Sequence, residues 1–188
     1  MPKIQSAPPR IRPEGIALSD KQREGRAVNA VAELLMRKLL VPKLFLESKG
    51  LKVYLKPQLT LTPREFAHVL AVDRAGSGDV YVVDIFIGPI GSVEQRVQDF
   101  VQHVRKVRPA HFNYIAVSSG LIEFIPRLQL FADDGIGRVG IIEITEYPSS
   151  PPQAAVVIPA ERFRVEQRWL EAYDKFQKNT RADMEFRG

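Results

Sequence analysis

The chain has 188 residues, a net charge of +5 and no cysteine, which suits one domain with its own core and excludes a disulfide scaffold, a thiolate zinc site and a cysteine nucleophile. No apolar run reaches the roughly 20 residues of a membrane span, and the opening MPKIQSAPPRIRPEG lacks the apolar stretch of a secretory signal. A cytoplasmic protein with no membrane role is expected.

Charge is spread unevenly. Residues 1–56 carry 12 Lys/Arg against 5 Asp/Glu, residues 57–160 carry 8 against 11, and residues 161–188 carry 7 against 6. A basic arm over residues 1–18 and the helix behind it can therefore hold phosphates by charge. Arg10, Arg12, Lys21, Arg23 and Arg26 are the candidate nucleic-acid contacts; a solvated basic surface is the plainer alternative.

In chain order, Ser19 or Asp20 can cap a helix over about residues 21–40, with Val28, Val31, Leu35 and Leu39 at helical spacing. Val53, Leu55, Leu59 and Leu61 alternate across Pro57, as in a kinked or edge strand. Phe66–Asp73 and Asp79–Ile87 read as two strands of a hairpin closed by Arg-Ala-Gly-Ser-Gly, with Asp79 capping the turn.

Ser92 is placed to cap a helix over about residues 93–107, whose Val93, Val97, Phe100, Val101 and Val104 share a face. Asn113–Ser118 is a short apolar strand, Leu121–Phe131 a short helix, Asp133-Asp134-Gly135 a turn and Gly137–Ile144 a further strand. Residues 148–153 (PSSPPQ) read as a linker. The last segment, about 160–178, is amphipathic, with Phe163, Trp169, Leu170, Tyr173 and Phe176 as its apolar side. That stripe packs at home or docks a protein partner. Strands separated by helices pair in parallel. The expected fold is α/β, a mixed sheet flanked by helices, with a core over residues 19–147 and a linker plus C-terminal helix over 148–188.

The stretch FAHVLAVDRAGSGDVYVVDIFIG, followed by FNYIAVSSG and FADDGIGRVGIIEI, resembles the PD-(D/E)XK, or restriction-endonuclease-like, superfamily over about residues 21–145. The resemblance implies a helix, a hairpin bearing an acid and a later Asp/Glu-x-Lys, then a helix and a strand. In that chemistry two carboxylates hold magnesium, the metal activates water, and the lysine orients the water or stabilises charge. Carried over by position, Asp84 matches the Asp/Glu and is the metal candidate. Phe86 stands at the lysine, and His68 stands near the earlier Asp. Glu33 matches the helical acid of some members.

Asp84, His68 and Glu33 are thus the catalytic candidates if the domain is active, with Lys56 or Arg96 as a relocated basic residue in place of the lysine. The plainer alternative makes Asp84 a paired core carboxylate and His68 a hydrogen-bonded core histidine. His103 and His111 do not suggest a shared zinc. Three functions remain open: a degenerate, inactive nuclease-like domain that associates with DNA or RNA, an active magnesium-dependent nuclease, or an interaction subunit of a larger assembly.

Overall fold

The computed structural model describes residues 18–36, 51–57, 67–73, 78–128, 137–147 and 149–185. The arm with Arg10 and Arg12, the hairpin turn at 74–77, Leu59, Leu61 and the Asp133-Asp134 pair lie outside them.

Helix α1 (Asp20–Met36) opens the fold and is followed by β1 (Leu51–Leu55), β2 (Val69–Asp73) and β3 (Val80–Phe86). Next come α2 (Ile90–Val107), β4 (Phe112–Ser118), a 3-10 segment (Ser119–Leu128) and β5 (Gly140–Thr145). Strand β6 (Gln153–Ile158), helix α3 (Gln167–Asn179) and the two-residue β7 (Met184–Glu185) complete the order.

All strands among the described residues join one open sheet, ordered β6-β5-β4-β3-β2-β1-β7. Strands β1, β2 and β3 form an antiparallel meander, so the expected hairpin is present. Strands β3, β4 and β5 run parallel, as their intervening helical segments require. The sheet is mixed, and helices cover both faces.

Side chains alternate across the sheet and sort into these two faces. On one, Val28, Val31 and Leu35 of α1 cover Val53, Val69, Ala71 and Val83. On the other, Val93, Val97, Val101 and Val104 of α2 pack on Phe86, Ile115 and Val117. Beside α2, Trp169 and Tyr173 of α3 pack on Tyr54, Leu70, Val72 and Val82. Trp169 is 3% and Tyr173 2% exposed, so the aromatic face expected to be able to dock a protein partner is covered by the chain's own sheet.

Two boundaries differ from expectation. Gln153, the last residue of the expected linker, opens the edge strand β6, which runs antiparallel to β5. Its two preceding prolines obscure it, yet proline suits an edge, where one side of the strand needs no ladder donors. Helix α2 starts at Ile90 with Pro89 at the N-cap. Ser92 therefore lies inside the first turn, its hydroxyl donating to the Pro89 carbonyl at 2.9 Å rather than capping.

Among the described residues, no helix is long and apolar enough to cross a membrane.

Candidate functional site

Asp84 projects from β3 on the face that carries Val82 and Phe86. His68 precedes β2 and continues the register of the Val69–Val83 pair, which sets it beside Asp84. His68 Nδ1 contacts Asp84 Oδ1. The Ile85 N–H lies between them, 3.0 Å from Nδ1 and 3.2 Å from Oδ1. With the ring proton assigned to Nδ1, both N–H groups donate to the carboxylate and the acid is satisfied.

The other ring nitrogen, Nε2, faces Glu24 Oε1 at 3.4 Å. The same oxygen accepts from Lys56 Nζ at 2.9 Å. Partial burial works against the charge on Glu24. The hydrogen bond from Lys56 and the fields of His68, Lys56 and Arg96 outweigh it and hold the carboxyl below its ordinary range.

Lys56 follows β1 with φ at +45°, in the left-handed region, which costs a residue with a Cβ about 1–2 kcal/mol. Its N–H donates to the His68 carbonyl at 2.8 Å, so this corner is pinned to the residue it serves. Strain of this kind persists only where the surroundings over-determine it.

Phe86 is 2% exposed and meets Phe100 edge-on, with centroids 5.9 Å apart. It is a core residue under α2. Arg96 of α2 lies over its ring, 5.1 Å from the centroid, in a cation–π contact. Phe86 thus has a cation over its ring.

Four elements and the β2 entry therefore meet at the carboxyl end of β3. In open α/β sheets that is where ligands bind. The side chains remain reachable: His68 is 13%, Asp84 23%, Glu24 27% and Lys56 39% exposed.

Glu33 is not part of this group. It lies nine residues after Glu24 on α1, about 180° around the helix at 100° per residue, beside a cavity of about 470 Å³ lined by Pro151, Pro152 and Ala154. Glu24, not Glu33, is the α1 acid that faces His68. Of the basic candidates described, Lys21 is exposed. Arg23 is bound to Glu146 (Nε–Oε1 2.9 Å, Nη2–Oε2 2.5 Å) and to Asp20 at 3.2 Å. Arg26 donates to the Ser150 carbonyl. These two guanidinium groups join α1 to the chain after β5, so they are fastenings first.

The turn that Asp79 is expected to cap lies outside the described residues. The Asp79 carboxylate accepts from Arg162 at 2.7 Å, and His111 Nδ1 lies 3.7 Å away. His111 in turn accepts from the Val80 N–H at 3.1 Å. This cluster sits at the start of β3, the opposite end from Asp84.

Among the described residues, no three His, Cys, Asp or Glu side chains are set to hold a metal ion. Glu24 and Asp84 are each already engaged, by Lys56 and by His68. The donor set does not fit a hard octahedral cation such as magnesium.

No protein-family profile matches the sequence, and comparison with curated proteins returns no match. Among solved structures, the chain is similar to the SPO1766 protein of unknown function from Silicibacter pomeroyi. The TM-score is 0.52 at 13% identity, covering 87% of this chain and 88% of that one. At that identity the likeness concerns the fold alone.

Proposed function

We propose that this chain is a nucleic-acid-binding domain of the restriction-endonuclease-like type, whose site engages a backbone phosphate with side-chain cations instead of a bound metal. One observation carries the reading: Lys56 and the field of Arg96 act on Glu24, which faces the His68–Asp84 pair at the carboxyl end of β3. The order helix, meander, helix, strand supports the superfamily resemblance, as does the place of Asp84 on the third strand.

The charges give the physical reason. The superfamily's two acids need a metal to bring an anionic phosphate near. Here the charges of Glu24 and Asp84 are balanced by those of Lys56 and Arg96, so a phosphodiester can approach without a divalent ion.

Labelled DNA and RNA oligonucleotides, titrated in magnesium, in manganese and in EDTA, test this directly. Binding of equal strength in all three is expected. Metal-dependent cleavage that disappears in Asp84→Ala would instead establish the active metal nuclease.

A further inference from the structure

We propose that the bound nucleic acid lies along α2, its backbone held at one end by Lys56 and Arg96 and at the other by a second cationic cluster of Lys106, Arg108 and Arg164. This rests on the phosphate-binding reading above and adds to it a second contact surface and a minimum length of strand.

The second cluster forms where two segments meet at the amino end of β3. From Phe100 to Ile122 the chain holds Arg105, Lys106 and Arg108 and no Asp or Glu. Residues 162–168 (RFRVEQR) add Arg162, Arg164 and Arg168 against Glu166. The Phe163 N–H donates to the His111 carbonyl at 2.8 Å and the Tyr173 hydroxyl to the Pro109 carbonyl at 2.6 Å, so the two segments share one corner. Arg162 is bound to Asp79 and Arg168 to Glu166, at 2.7 and 2.8 Å. Lys106, Arg108 and Arg164 enter no ion pair among the described residues. Lys106 and Arg164 are exposed and Arg108 is half-buried.

Two plainer roles fall short. Cations in the last turn of a helix offset its dipole, which accounts for Arg105 and Lys106 but not for Arg164, from another segment. A merely solvated cation needs no strained backbone, yet Arg108 has one. It is the C-cap of α2, with φ at +47° and its N–H donating to the Val104 carbonyl at 2.8 Å. Among the described residues, the non-glycine positions with positive φ are Lys56 and Arg108. Each carries a long cation where glycine or asparagine would be less strained, and they stand at opposite ends of the sheet.

Helix α2 sets the span between the clusters. Arg96 and Lys106 are about 15 Å apart along its axis, ten residues at 1.5 Å each. At 100° per residue Lys106 lies about 80° round from Arg96, so both face outward on the same side. Asp99 shares that side, and its carboxylate accepts from the Gln95 amide at 2.9 Å. A stacked strand advances about 3.4 Å per phosphate. One strand that reaches both clusters is therefore about five or six nucleotides long, and a trinucleotide reaches only one.

Fluorescent oligouridylates of three, six and twelve nucleotides are titrated by anisotropy against the full chain in EDTA. For the unaltered chain, affinity is expected to rise at least about tenfold between three and six nucleotides and then to level. This comparison needs no variant, so it survives one that fails to fold. The double variant Lys106→Gln, Arg164→Gln is expected to flatten the salt slope of the twelve-nucleotide strand by about 1.4, at 0.7 per contact on a single strand, and to leave trinucleotide affinity unchanged. Arg96→Met is expected to weaken both lengths. A double variant that binds twelve nucleotides as the unaltered chain does, while Arg96→Met weakens binding, overturns this inference and leaves the phosphate-binding reading standing. Equal losses at every length in the double variant overturn the span along α2. Absence of binding by the unaltered chain overturns both.

Discussion

Glu24 and Glu33 share α1, and only Glu24 reaches the site. Glu24 stands four residues before Val28, on the stripe that continues through Val31 and Leu35 toward the sheet. Glu33 is on the opposite, exposed side. An acid placed on an apolar helical stripe was the available signal, and matching by superfamily position alone passes over it. Lys56 shows a second residue-scale effect. Its left-handed backbone suits asparagine better than lysine, so Lys56→Asn is expected to leave the melting temperature equal or higher while weakening phosphate binding. A fall in melting temperature would mean that the Lys56–Glu24 pair, and not the backbone, decides stability here. Gly140 is a third case. A methyl group there would lie 2.3 Å from Tyr114 Cε1 and 2.6 Å from the Ala160 nitrogen. Overpacking of this kind costs about 1–3 kcal/mol, to be read by denaturant unfolding of Gly140→Ala.

At the scale of elements, periodicity revealed what it physically encodes. The Val93–Val104 face, the DVYVVDIFI run and the meander are present because helical and alternating apolar patterns each bury one way only. Strand β6 was hidden because PSSPPQ runs into AAVVI without a turn, and short apolar runs carry no period of their own. The site was partly legible. Asp84 and His68 could be singled out on adjacent strands, whereas the arrival of Arg96 over Phe86 depends on how α2 crosses the sheet, which no local pattern states. Helix α3 makes a separate prediction. Tyr173 donates to the Pro109 carbonyl at 2.6 Å from a fully buried position. Tyr173→Phe is expected to cost about 1 kcal/mol and Trp169→Ala about 3–5 kcal/mol. Both are measured by urea unfolding, and neither should alter nucleic-acid affinity in the folded protein.

Across the whole molecule, the two ends of the sheet have different tasks. One gathers Glu24, Lys56, His68, Asp84 and Arg96. The other locks β3 to the C-terminal segment through Asp79, His111 and Arg162. Burial, then the Arg162 charge, holds His111 below its ordinary value of 6.5, against the pull of Asp79. The unfolded chain therefore takes up a proton first as pH falls through 6.5, and stability drops from there down to the lower folded value. His103, also held down by burial, adds in the same direction. Thermal melts from pH 7.5 to 5.5 should show this loss, and His111→Asn should reduce its slope.

The proposal that side-chain cations bind phosphate at the carboxyl end of β3 is tested most directly by the salt dependence of RNA binding. Lys56→Asn and Arg96→Met are each expected to flatten the slope of log affinity against log salt by about 0.7–0.9 per lost contact. Slopes that match the unaltered chain in both variants would contradict it, and would move the phosphate contacts elsewhere on the molecule.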